Sequence, residues 1–132
     1  MKSGLLWVGE SLGDEMSKFL DPLIIEKVDG TADRWRVATT FRYQSDLGGL
    51  ITVPKGEVTD FASTPQLVWA FFPKSGLWDG AALVHDMTYR LHSFSRKKCD
   101  EVFLEALEVL NVSSWKRYTM YWAVRLGGWV AY

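Results

Sequence analysis

Apolar and polar positions alternate along the first half of the chain and then change rhythm. Between Leu23 and Val53 the period is two. Leu23-Ile24-Ile25-Glu26-Lys27-Val28 is followed by the turn signal Asp29-Gly30. The run Arg34 to Tyr43 comes next, with alternation clearest at Trp35, Val37, Thr39, Phe41 and Tyr43. Gly48-Gly49 leads into Leu50-Ile51-Thr52-Val53, which Pro54 stops; together these runs predict a small antiparallel sheet.

After Pro65 the period lengthens to about 3.6 and predicts about four helices. The first spans about Pro65 to Phe72, with Thr64 as N-cap, proline at the first helical position and Pro73 beyond its end. The second runs from about Trp78 to His92. The third starts after Ser95 and reaches about Leu110, with Val102, Phe103, Ala106, Leu107 and Leu110 on one face. Ser113 or Ser114 caps a last helix through about Leu126, ended by Gly127-Gly128. The predicted class is α+β, a small N-terminal antiparallel sheet followed by a helical C-terminal part. Neither a repeat nor a linker divides it, so residues 1–132 read as a single domain.

Composition narrows the partners. A chain of 132 residues, 48% hydrophobic and 14% aromatic, can bury one core. Fifteen basic against sixteen acidic residues give a net charge of −1, so no overall field points to nucleic acid. The single cysteine, Cys99, excludes an intramolecular disulfide framework and suits a reducing compartment. The N-terminal apolar patch Leu5-Leu6-Trp7-Val8 is too brief for a signal peptide, and the run Leu67 to Phe72 is far too short to span a bilayer. A soluble protein that stays where it is made is expected.

Chemistry concentrates in Ala81-Ala82-Leu83-Val84-His85-Asp86-Met87-Thr88-Tyr89-Arg90. On a helix His85 and Tyr89 lie one above the other and Asp86 points about 100° to the side. A general base and a metal ligand can therefore share one helix. The apolar neighbours make an acidic residue costly here without a partner, which a metal or a cationic side chain would supply. His85 also reads as a buried histidine bonded to a carbonyl, and Tyr89 as a packing residue. Asp60, in Val58-Thr59-Asp60-Phe61-Ala62-Ser63-Thr64-Pro65, is either a turn residue or a functional carboxylate; Asp100 is either a functional carboxylate or a helix-start charge. His92 is a spare ligand candidate, and Arg96-Lys97-Lys98 is a solvated charge run from which Arg96 can reach an anionic headgroup.

The string His-Asp-x-x-Tyr resembles the active-site helix of the phospholipase A2 group, most closely its short prokaryotic secreted members. Asp60 lies 25 residues before His85 and Asp100 lies 15 after it, matching the order of loop, base and orienting carboxylate. The resemblance implies a pair of active-site helices, with His85 as the base that deprotonates water, Asp100 on its other ring nitrogen and Tyr89 hydrogen-bonded to Asp100. It implies calcium on Asp60, Asp86 and the Phe61 carbonyl, and a phospholipid or membrane surface as partner. Trp69, Phe71, Phe72, Leu77 and Trp78 would then form an interfacial rim or belong to the core.

Val53-Pro54-Lys55-Gly56, Thr59 to Pro65, Leu83-Val84-His85-Asp86 and Trp115-Lys116-Arg117 to Arg125-Leu126 are together similar to a family of small uncharacterised proteins of tailed bacteriophages and prophages. This resemblance implies synthesis in a bacterial host cytoplasm and no assigned reaction. An enzyme acting on the host envelope and a virion or assembly protein with a structural His-Asp cluster both fit; the latter's partners would be other phage structural proteins. A third reading is metal-dependent hydrolysis of another bond, such as a cell-wall amide, with His85, Asp86, His92 and Asp60 as ligands. The last helix, with Trp115, Tyr118, Trp122, Leu126 and Trp129, serves as docking surface or as core.

Overall fold

The alternating half of the chain folds into two small sheets where one was expected. The structure, a computed structural model, describes residues 16–32, 34–61, 63–64, 79–127 and 132. Its strands are β1 (Lys18–Phe19), β2 (Ile25–Lys27), β3 (Trp35–Val37), β4 (Phe41–Ser45), β5 (Gly49–Val53) and β6 (Val58–Thr59). They form two antiparallel sheets, ordered β1-β4-β5 and β2-β3-β6.

The run Arg34 to Tyr43 is therefore a bent segment shared by two sheets. Trp35 pairs with Lys27 and Thr59, while Phe41 pairs with Val53. At the bend the Val37 amide donates to the Glu57 carbonyl and the Ala38 amide to the Ile24 carbonyl, and Thr39 and Thr40 stay exposed. Val37, Phe41 and Tyr43 are buried on both sides of the break, so the alternation keeps its phase across it. After β4 the Ser45 hydroxyl accepts the amides of Leu47 and Gly48, and Gly49 takes the left-handed φ of 76° that reverses the chain into β5.

Three helices follow among the described residues: α1 (Asp79–Arg90), α2 (Arg96–Val109) and α3 (Ser114–Gly127). The expected helix over Pro65 to Phe72 and the aromatic rim from Trp69 to Trp78 lie outside the described residues. Ser95 caps α2, its hydroxyl accepting the Lys98 amide. Both α1 and α2 end on a left-handed residue. His92 (φ 48°) and Asn111 (φ 63°) turn the chain so that Ser93 N–H reaches Thr88 C=O and Val112 N–H reaches Leu107 C=O. This six-to-one bond caps orphan carbonyls in the manner usually given to glycine.

Every residue of α1 from Ala81 to Tyr89 is buried, because the helix packs against α2 on one side and against β5 and β6 on another. One cluster joins Val37, Phe41 and Val53 of the sheets to Leu83, Val84, Val102, Phe103, Met120 and Val124 of the helices. Helix α3 buries only Met120 and Val124 and leaves Trp115, Tyr118, Trp122 and Leu126 exposed. These four side chains are therefore not core, and Trp129 lies outside the described residues. No helix among the described residues is long and apolar enough to cross a membrane.

Candidate functional site

The buried α1 helix carries its polar side chains where the other elements can reach them. His85 and Tyr89, one turn apart, pack with ring centroids 4.1 Å from each other and planes tilted by 42°, and Phe103 of α2 also packs on the imidazole at 4.8 Å. Asp100, near the start of α2, accepts from both: His85 Nε2 lies 2.7 Å and Tyr89 Oη 2.5 Å from its Oδ1. Its Oδ2 accepts from Arg125 Nη1 of α3 at 2.8 Å, and Arg96 Nη1 stands 3.7 Å away. His85 and Asp100 are both 0% exposed.

Four donors on one carboxylate decide its charge. Burial alone would raise the Asp100 pKa, but the hydrogen bonds from His85, Tyr89 and Arg125 outweigh it and hold the group below its usual 3.8. An ionised Asp100 can only accept, so the His85 proton sits on Nε2. Burial in turn pulls the His85 pKa below its usual 6.5, against the opposing pull of Asp100 and Asp86. The imidazole is neutral, with its lone pair on Nδ1. Ser63 Oγ lies 3.0 Å from that nitrogen and donates to it.

Asp86 occupies a second polar knot beside the first, about 100° round α1 and joined to it through Ser63. Thr59 Oγ1 of β6 donates to its Oδ2 at 2.5 Å, the Ser63 amide to its Oδ1 at 3.3 Å, and Arg90, one turn on, places Nη1 3.6 Å from Oδ2. Arg90 also donates to the Val58 carbonyl at 2.6 Å, tying α1 to β6. A cationic side chain thus accompanies Asp86. These donors do not fit a calcium ion in this arrangement: hydrogen-bond donors face both Asp86 oxygens, and the Phe61 carbonyl accepts the Thr64 amide. Among the described residues no group of three or more His, Cys, Asp or Glu side chains could hold a metal.

Of the residues expected at the site, the structure brings His85, Tyr89 and Asp100 into one cluster, with Asp86 beside it. Asp60 is half-buried and lines a polar pocket of about 240 Å³ with Arg34, Val58, Thr59 and Arg90. His92, as the left-handed residue after α1, leaves the helix face it was expected to share. Its Nε2 meets the Tyr132 carbonyl at 2.8 Å and its ring stacks on Tyr132 at 4.2 Å. Arg96 turns inward to the carbonyls of Val124 and Arg125, where a cation complements a helix C-terminus. Burial raises the Cys99 thiol pKa, which leaves it a packing group.

Sequence reasoning missed Ser63, Thr59, Arg90 and Arg125. The pairs Asp86/Arg90 and Arg96/Asp100 stand four apart, a spacing visible in the chain; Ser63, Thr59 and Arg125 meet the cluster only through tertiary packing.

A family model matches residues 35–124, from β3 into α3, and takes in every cluster residue named above except Arg125. The chain belongs to the DUF1353 family. That family is described as protein of unknown function. The DUF1353 chain is also 28% identical over 96 residues to an uncharacterized protein, y4jT, of Sinorhizobium fredii. The match covers 71% of this chain and 29% of that protein, so the chain spans less than a third of its relative's length. No solved structure matches the chain.

Proposed function

We propose that this DUF1353 chain is a hydrolase of the phospholipase A2-like type, with His85 as its general base and an ester as its substrate. One observation carries the reading: a single carboxylate oxygen of Asp100 accepts from His85 Nε2 and from Tyr89 Oη. That fixes the tautomer, aims the Nδ1 lone pair away from Asp100, and stabilises the imidazolium formed when the base takes a proton. Arg125 and Arg96 keep Asp100 ionised through the cycle. A phospholipid ester and action on a host envelope belong to this reading through the resemblance of the His-Asp-x-x-Tyr string and the phage-like phrases.

The test is release of fatty acid from a short-chain phosphatidylcholine by the purified chain, with His85→Gln as the comparison. The proposal expects turnover that His85→Gln lowers by about 10²-fold or more while the fold is kept. The same assay with calcium and with a chelator reads the metal dependence the resemblance implies. Absence of turnover on phospholipid and on simple esters refutes the proposal.

A second reading, a structural cluster in a phage virion or assembly protein, draws on a different observation. His85, Asp86 and Asp100 are at most 1% exposed and each has hydrogen-bond partners, as in a buried network that specifies a core. It expects His85→Gln to change stability and nothing else.

A further inference from the structure

We propose that Ser63 is the nucleophile of this site, the hydroxyl from which His85 takes its proton. The proposal rests on the hydrolase reading above and puts a side-chain hydroxyl in place of the water that the phospholipase A2 resemblance implies.

Three observations converge on Ser63. The first is the relay itself: Ser63 Oγ to His85 Nδ1 at 3.0 Å and His85 Nε2 to Asp100 Oδ1 at 2.7 Å. With the proton of His85 on Nε2, the hydroxyl proton of Ser63 already points at the lone pair that would remove it. A water nucleophile would have to displace that hydroxyl first.

The second is the backbone that holds the serine. Phe61, two residues earlier, has φ 58°, a left-handed conformation that a bulky side chain rarely adopts. The Thr64 amide closes a tight turn onto the Phe61 carbonyl at 3.1 Å. Phe61 N–H is held by Thr59 Oγ1 at 3.0 Å and Ser63 N–H by Asp86 Oδ1 at 3.3 Å. Asp86 and Thr59 thereby position the turn rather than the reaction. Strain concentrated at a turn that presents one hydroxyl to a base is a mark of a functional site.

The third is Thr64. Its hydroxyl is buried, the residue being 2% exposed, and it has no hydrogen-bond partner among the described residues. A buried hydroxyl left without a partner next to the nucleophile is a donor in waiting. A carbonyl oxygen that gains negative charge during attack on Ser63 is the acceptor it fits.

The chemistry is acyl transfer from a carboxylic ester. Ser63 Oγ bonds to the acyl carbon and its proton passes to His85 Nδ1. The tetrahedral intermediate collapses, the ester C–O bond breaks, and the alcohol leaves with the proton from Nδ1. Water then attacks the acyl-serine, giving its proton to His85 Nδ1, and the acid departs as Ser63 regains a proton from that nitrogen.

Because Ser63 is buried, the probes are small: p-nitrophenyl acetate and diisopropyl fluorophosphate on the full chain. The proposal expects a burst of p-nitrophenolate, a phosphoryl adduct located on Ser63 by peptide mass spectrometry, and loss of that adduct in His85→Gln. Turnover should fall by about 10³-fold in Ser63→Ala. The adduct is read on the unaltered chain, so the test survives a Ser63→Ala variant that does not fold. Ester turnover with no adduct on Ser63, or turnover undiminished in a folded Ser63→Ala, overturns the proposal and leaves His85 acting on water. Neither turnover nor adduct overturns this proposal and the hydrolase reading together.

Discussion

Replacing Asp100 by asparagine keeps the size of the side chain and removes the charge on which three elements converge. All four groups facing the carboxylate are donors: His85 Nε2 at 2.7 Å, Tyr89 Oη at 2.5 Å, Arg125 Nη1 at 2.8 Å and Arg96 Nη1 at 3.7 Å. Asparagine offers one acceptor oxygen and one NH₂. If the oxygen faces His85 and Tyr89, the NH₂ points at two guanidinium groups; if it is flipped, the arginines keep a neutral acceptor and the buried His85 and Tyr89 donors lose theirs. Breaking a buried ion pair from one side costs about 3–5 kcal/mol. The Arg125 and Arg96 side chains are 23% and 25% exposed and recover some hydration, so the lower end, about 3 kcal/mol, applies. For a chain of this size that is a fall in Tm on the order of 10–15 °C. Thermal and urea unfolding followed by circular dichroism at pH 7 measure it. Arg125→Met, alone and combined with Asp100→Asn, isolates the Asp100–Arg125 coupling, expected at about 1–2 kcal/mol. A loss below about 1 kcal/mol in Asp100→Asn would show that this carboxylate is not the hub joining α1, α2 and α3.

Three further outcomes follow from the same geometry. Tyr89→Phe deletes one donor to Asp100 and costs about 1–2 kcal/mol by chemical denaturation, with the pH profile of any turnover moved because the imidazole keeps a less constrained carboxylate. Stability falls with acidification in two stages. His85 and Asp100 both have folded pKa values below their usual 6.5 and 3.8, so the unfolded chain takes up protons first; the stabilisation is complete above pH 6.5 and declines below it by up to about 1.4 kcal/mol per pH unit per group. Urea midpoints across the acid range read this slope, and the stage beginning at pH 6.5 disappears in His85→Gln. Trp122→Ser, on the outward face of α3 where Trp122 is 57% exposed, changes stability by about 0.5 kcal/mol or less, whereas Met120→Ala on the inward face costs about 2–4 kcal/mol.

The helices were legible because local rules governed their ends. Ser95 as a cap and the spacing of Val102, Phe103, Ala106 and Leu107 bounded α2 to within a residue, and the glycines after Leu126 marked the end of α3. The two-sheet arrangement was not legible, because Val37, Phe41 and Tyr43 keep one phase through a bend whose cause is hydrogen bonding to Ile24 and Glu57, far off in sequence. The site divides in the same way. His85 and Tyr89 share a helix face by arithmetic, and the phospholipase A2 resemblance implied Asp100 as their partner. Ser63, Thr59 and Arg125 reach the cluster from a turn, a strand and the last helix, and no spacing rule connects them. His92 misled because a helical wheel assumes that the helix continues, and the chain leaves it at that residue with a left-handed φ.

The account stands on His85 being a neutral base, with its proton on Nε2 toward Asp100 and its lone pair on Nδ1 toward Ser63. Nitrogen NMR of the ¹⁵N-histidine-labelled chain, titrated from neutral pH into acid, reads both nitrogens directly. The account predicts a protonated Nε2 and an unprotonated Nδ1 at neutral pH, with Nδ1 taking a proton only below pH 6.5. A proton on Nδ1 at neutral pH, in the Nδ1–H tautomer or in the doubly protonated ring, would contradict it.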